Sequence, residues 1–330
     1  MTDPTTPSSG WPDLARRDLG GAVVWANDEA FAARQNLVAP GPPVFDPTTF
    51  GPNGKVYDGW ETRRRREPGE DVAVVRLAVP AIVHDLAVDT SFFTGNYPPE
   101  VAVDGLGLDG TRHELLAVSP VKGDTVNVFA VRCRYPVSEV RLRILPDGGV
   151  ARLRVYGQAA PDPALVDALG VVDVASLELG GRVTDCSDRF YSSPENLLLP
   201  GPARSMGEGW ETARRRDDGH DRVEIALACE ATIAVAELDT SWFLHNAPAR
   251  AGLRGRTAGG VWHELLPRTD LTPDTRHRFV LGDVPPVDAV RLDIHPDGGL
   301  ARLRLHGRPT AAGRAALVAR RSGPTPEDTP

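Results

Sequence analysis

The chain is almost without lysine: of its 37 basic residues only Lys55 and Lys122 are lysines, an arginine bias that a GC-rich genome accounts for as well as function does. Those 37 basic residues face 45 acidic ones, and a net charge of −8 argues against sequence-independent binding of nucleic acid. Cysteine is scarce too. Cys133, Cys186 and Cys229 are far apart, odd in number and include no CxxC pair, so neither a disulfide framework nor a zinc ribbon is expected and free thiols are. No stretch approaches the ~18 consecutive apolar residues of a membrane span, and the opening MTDPTTPSSGWPDLARRDLGG has no apolar signal core, so the expectation is a cytoplasmic protein that engages no membrane. Aromatic residues are sparse at 6%. Glycine and proline are not: they supply 63 of 330 residues, which disfavours long helices, coiled coils and bundles and favours a turn-rich β architecture.

What is present is a repeat. Trp60–Gly157 aligns without a gap on Trp210–Gly307 at a constant shift of 150, with 41 of 98 paired positions identical. Upstream the shift becomes 160, pairing Asp28 with Asp188 and Asn36-Leu37 with Asn196-Leu197, so about ten extra residues lie in the first copy near Phe45 to Lys55. The organisation predicted is a flexible segment 1–20, a first repeat 21–160, a second repeat 161–310, and a C-terminal tail 311–330 whose last residues, SGPTPEDTP, have the composition of a disordered end.

Within each copy the apolar period is two. Val72–Val79, Ile82–Val88, Val126–Arg132, Val140–Ile144 and Ala151–Tyr156 read as strands bounded by Gly, Pro and Asp, which predicts an all-β fold of two tandem β-sandwiches, jelly-roll rather than barrel. Pro146-Asp147-Gly148-Gly149 is expected to close a hairpin between the last two strands. That pairing would set Arg141, Arg143, Arg152 and Arg154 on one solvent face, a costly arrangement unless carboxylates or an anion lie among them.

Three repeated segments carry chemistry. Asp58-Gly59-Trp60-Glu61-Thr62-Arg63-Arg64-Arg65-Arg66 recurs at Gly209-Trp210-Glu211-Thr212-Ala213-Arg214-Arg215-Arg216, and a planar guanidinium matches the two oxygens of a carboxylate. Alternation sends neighbouring arginines to opposite faces, so they do not all serve one site, and a solvated charged edge is the competing explanation. Asp89-Thr90-Ser91 with Asn96, mirrored by Asp239-Thr240-Ser241 with Asn246, is either turn chemistry or a polar strand end beside a shaped loop. His113-Glu114, mirrored by His263-Glu264, offers groups able to transfer protons, or a surface ion pair. GxSxG, GxxxxGK[ST] and HExxH motifs and the Asp/His clusters of paired-metal hydrolases are absent from the sequence.

Together the segments DGWETRRRR (58–66), DTSFFTGNYP (89–98) and PDGGVARLRVYG (146–157), each with a second form, resemble the allantoicase (allantoate amidinohydrolase) family from about Asn27 to Gly307. The resemblance implies two jelly-rolls akin to galactose-binding modules, and hydrolysis of allantoate to ureidoglycolate and urea in purine (allantoin) degradation. It implies a small-molecule substrate and leaves dependence on a divalent metal such as manganese open, with no ligands assignable; a homo-oligomer is expected separately, because a site built from loops at domain edges can be completed by a neighbouring subunit. On this reading Arg63, Arg64, Arg65 and Arg66 clamp the carboxylate, Asp89 and Asn96 orient a ureido group, and Glu61, His113 or Glu114 protonates urea and activates water. Trp60 and the second-copy residues Glu211, Arg214, Asp239, Asn246 and His263 join the substrate-binding set. The second copy departs at Gly207-Glu208-Gly209 and Leu244-His245-Asn246-Ala247, which leaves open whether it is catalytic. Two alternatives stand beside this reading: a non-enzymatic sandwich that binds a sugar or ureido acid, and a hydrolase of a related ureido acid.

Overall fold

The computed structural model describes residues 10–323 and divides the chain into two compact units. The first runs to Ala160 and takes in the chain again from Arg320, and the second is Pro161–Ala319.

In the first unit the strands are β1 (Ala22–Ala26), β2 (Phe50–Gly51), β3 (Gly54–Lys55), β4 (Trp60–Glu61), β5 (Asp71–Asp89) and β6 (Glu100–Gly107). They are followed by β7 (Arg112–Pro120), β8 (Val126–Ala130), β9 (Val137–Leu145), β10 (Gly149–Val150) and β11 (Arg152–Ala159). The two strands expected at 72–79 and 82–88 are one extended segment, β5, whose partners change along its length. Its first half pairs with β1 and β9, and β9 continues to β6 and β7. Its second half pairs with β11 and β8. The register shift between Arg76 and Ala81, spanning Pro80, which has no N–H to give the ladder, is the corner at which the strand leaves one sheet for the other. The result is a jelly-roll sandwich, and the second unit repeats it around Asp221–Asp239 with the corresponding shift between Ala226 and Ala231.

Alternation explains which residues fill the space between the sheets. Val140, Leu142 and Ile144 of β9 are fully buried, as are Val101 and Val103 of β6 and Leu153 and Val155 of β11. Each such side chain contributes about 1.5–3 kcal/mol on burial, against roughly 0–1 kcal/mol for an exposed ion pair, so this layer and not the arginine pairs sustains the fold.

The expected hairpin does not form. Strands β9 and β11 lie along opposite halves of β5 and do not pair with each other; Gly149–Val150 pairs instead with Trp60–Glu61. The four arginines are accordingly separated. Arg143 and Arg141 reach Glu70 at 2.8 and 3.7 Å. Arg152 is buried, grips Asp58 through two bonds of 2.7 and 3.0 Å and donates to the carbonyls of Gly41 and Ala151, while Arg154 meets Asp13 at 3.4 Å.

The ends also differ from expectation. Leu14 and Ala15, inside the segment taken as flexible, are fully buried, and the Asp13 carboxylate accepts from the backbone N–H groups of Ala15 and Val155. Ala311–Ser322 is a helix with Leu317 buried, consistent with its run of good helix formers; residues 1–9 and 324–330 lie outside the described residues. The three cysteines are free, and no described helix is long and apolar enough to cross a membrane.

Candidate active site

The site grows from β4. Strand alternation turns Trp60 inward, where it is fully buried with Nε1 donating to the Asp28 carbonyl at 2.6 Å, and turns Glu61 to the opposite side. Thr62 then bonds back to Gly148, its N–H donating to the Gly148 carbonyl at 3.1 Å. The Pro-Asp-Gly-Gly segment is thereby laid against Glu61, and its glycines are required. Gly148 has φ of +140°, and a Cβ on Gly149 would stand 2.0 Å from the ring of Phe93. That close approach seats the 90–97 loop: Gly149 N–H donates to the Asn96 carbonyl at 2.7 Å, and Asn96 Nδ2 donates to Glu61 Oε1 at 2.6 Å.

Glu61 is 8% exposed, and its second carboxylate oxygen is buried without a hydrogen-bond partner. Burial pushes this carboxyl above its ordinary value, and the bond from Asn96 offsets that only in part. Glu61 opens on a cleft of about 590 Å³ lined by Phe31, Thr62, Arg64, Arg65, Asn96, Tyr97, Asp147 and Gly148 among others, within the ~300–1,000 Å³ typical of small-molecule sites. Two arginines line it. Arg65 is committed, its guanidinium on Asp71 at 2.7 Å and its backbone N–H on Asp147 at 2.7 Å, whereas Arg64 is exposed and makes no ion pair among the described residues.

Of the residues singled out from sequence, Glu61, Arg64, Arg65 and Asn96 are brought together. The others are placed elsewhere. Trp60 is a core side chain. Arg63 stands outside the cleft on Asp28 at 2.7 Å, and Arg66 is exposed outside it. Asp89 accepts from Ser91 N–H at 2.8 Å, so it shapes the turn, and it does not line the cleft. His113 and Glu114 do not line this cleft. They sit on β7 opposite Gly105 and Asp104, six and five residues along the chain from Pro99, which borders the cleft just before β6. At ~3.3 Å per residue that is about 17–20 Å along the strand. His113 stacks on Tyr135 with ring centroids 4.8 Å apart. His113→Asn and Glu114→Gln are therefore expected to leave kcat within about twofold of the parent, as for surface changes away from a site; a steady-state comparison checks this, and a hundredfold loss would return them to the chemistry.

Sequence reasoning missed Phe31 and Asp147 as lining residues, and had Tyr97 only as part of a loop shaped over the ligand. Asp147 had a signal, since it recurs as Asp297 inside the repeated turn, and Tyr97 is where the second copy carries Ala247. In the second unit Asn246 Nδ2 donates to Glu211 Oε1 at 2.6 Å and Arg214 is exposed, so the same trio recurs. Glu211 is only half-buried, and the Met206 sulfur lies 3.2 Å from Asn246 Nδ2. Trp210 is core, donating to the Asp188 carbonyl; Asp239 holds Ser241 N–H at 2.9 Å and lies 3.6 Å from Arg276; His263 is exposed on the outer strand opposite Gly255. Among the described residues no group of three or more His, Cys, Asp or Glu side chains is arranged to hold a metal ion.

The allantoicase repeat model matches residues 12–160 and again 172–310. The chain belongs to the allantoicase repeat family. A probable allantoicase of Nocardia farcinica is 58% identical over 309 residues, covering 90% of this chain and 94% of that one. One from Streptomyces coelicolor is 45% identical, covering 95% and 90%. Among solved structures, the crystal structure of allantoicase from Saccharomyces cerevisiae superposes with a TM-score of 0.79 at 31% identity, covering 90% of this chain and 92% of that one. Membership in the allantoicase family agrees with the doubled jelly-roll described above.

Proposed function

We propose that the first unit hydrolyses allantoate to ureidoglycolate and urea, with Glu61 as the group that moves the proton. The observation that carries this is the buried Glu61 carboxyl, one oxygen held by Asn96 and the other unpartnered, in a cleft that also holds the uncommitted Arg64. Allantoate is a carboxylate whose α-carbon bears two ureido groups, and each part of it has a counterpart in the cleft. Arg64 takes the carboxylate as a two-pronged donor. The Asn96 side-chain oxygen and Asp147 accept from ureido N–H groups. Glu61 begins protonated, a state its burial favours, and gives that proton to the nitrogen of the departing ureido group as the C–N bond breaks. The nitrogen lone pair of the remaining ureido group sustains the electron-poor carbon. Water then adds to that carbon, a C–O bond forms, and the proton water loses returns to Glu61, so one water is consumed and the carboxyl is restored.

Incubating the protein with allantoate and quantifying both products over time, with EDTA and with added Mn²⁺ in parallel, tests the reading. Stoichiometric urea and ureidoglycolate support it, whereas binding of ureido acids or sugars without turnover overturns it. Asn96 provides a finer check. Asn96→Ala removes the one bond that lowers the Glu61 carboxyl, so the fall in activity as that proton is lost should move to higher pH, with kcat down about tenfold for a lost bond of roughly 1.5 kcal/mol.

A further inference from the structure

The extra residues of the first copy form a hairpin, Phe50–Gly51 paired with Gly54–Lys55, for which the second unit has no counterpart. The hairpin has two anchors. At its tip, Asn53 Nδ2 donates to the Ala30 carbonyl at 2.5 Å, immediately before Phe31, which lines the cleft, and Ala32, whose backbone pairs with Glu61. At its base, Lys55 Nζ lies 5.4 Å from the Phe45 ring, and Phe45 begins an aromatic ladder through Tyr57 at 5.1 Å to Phe93 at 5.0 Å, the ring beneath Gly149.

The second unit shows what the same frame is like without it. Ala30, Phe31 and Ala32 correspond there to Phe190, Tyr191 and Ser192. Tyr191 is 64% exposed where Phe31 is half-buried, and Phe190 is 71% exposed. The Glu211 N–H is met by the Ser192 side chain at 2.8 Å in place of the backbone bond that Glu61 N–H makes to the Ala32 carbonyl. Glu211 is half-buried and Glu61 buried, although each holds its asparagine at 2.6 Å.

We infer that the ten-residue segment Asp46–Lys55 is a positioning element for the reaction: through Asn53 it holds residues 30–32 as a wall over Glu61, and its absence leaves the second unit with the binding trio but without the enclosed acid. This rests on the reading of Glu61 given above. The charged and titratable groups that share the Glu61 cleft, Arg64, Arg65, Tyr97 and Asp147, all lie outside the segment, so its removal changes solvent access to the carboxyl and not its charged neighbours.

The test is the pH profile of kcat and KM for allantoate in the full chain, for the parent, a variant lacking 46–55, Asn53→Ala and Glu61→Gln. With the wall gone Glu61 gains water, its proton is lost at lower pH, and the descending limb moves to lower pH. The deletion is expected to lower kcat about tenfold or more with KM changed less than about threefold, and Asn53→Ala to move both quantities the same way by less. A deletion variant or Asn53→Ala with the parental limb and kcat overturns the inference; if the deletion variant does not fold, Asn53→Ala decides alone. An active Glu61→Gln removes the underlying reading and the inference with it. An inactive Glu61→Gln beside an unmoved limb removes the inference only.

Discussion

Glu61→Gln is expected to lower kcat for allantoate by about 10²–10⁴, the usual worth of a positioned acid or base, with KM little changed. Glutamine keeps the size of the side chain and an oxygen for the 2.6 Å bond from Asn96, and replaces the acidic hydroxyl by an amide NH2 that cannot give up its proton. A second signature separates loss of chemistry from loss of fold. The Glu61 carboxyl is raised in the folded protein, so the stability linked to its protonation is present below the unfolded-state value and is lost as pH rises through the raised one. Glutamine cannot ionise and escapes that loss. The variant should therefore gain melting temperature relative to the parent at neutral pH and show a smaller gain near pH ~4, where both carry a neutral side chain. Paired thermal melts at the two pH values check this. Low activity with lower stability at both would mean a damaged fold.

Arg64→Ala should raise KM for allantoate about 10- to 100-fold, because a charge-assisted bond to a carboxylate is worth roughly 1.5–3 kcal/mol. Arg64→Lys should recover the charge and only part of the loss, since an ammonium does not present two parallel donors. Neighbouring arginines give the contrast that fixes the assignment. Arg63→Ala removes an exposed pair with Asp28 and Arg66→Ala an exposed side chain, so both should stay within about threefold of the parent. Arg65→Ala acts differently, through the frame, because it strips the buried Asp71 of its 2.7 Å partner. Steady-state kinetics on the four alanine variants distinguish a single carboxylate clamp from a shared field of charge, which would spread the loss evenly.

The period-two pattern, the repeat and the turn residues made the sandwich legible in the sequence, because inward and outward positions alternate wherever one face is buried. The pairing was less legible. Pro146-Asp147-Gly148-Gly149 has the composition of a tight hairpin, yet its glycines serve the Phe93 ring and the 90–97 loop, a demand set by residues fifty positions away. The same long-range packing decided the site. Glu61 and Asn96 were found because they recur in both copies; that they touch was not visible, since their 35-residue separation is bridged only when β4 meets β10. His113-Glu114 also recurs, but repetition preserves structural and chemical residues alike, and only the register of β7 against β6 shows how far from the cleft it lies. Likewise the arginine run gives no hint of which guanidinium is free until Asp28 and Asp71 are seen to occupy Arg63 and Arg65.

On the proposed mechanism the chemistry belongs to the enclosed carboxyl of the first unit and not to its half-buried counterpart. Allantoate turnover by Glu61→Gln and Glu211→Gln, measured side by side in the full chain at one pH, tests it most directly. Glu61→Gln should lose a factor of about 10² or more, and Glu211→Gln should keep a rate within about threefold of the parent. Equal losses in the two variants, or a loss confined to Glu211→Gln, would contradict it.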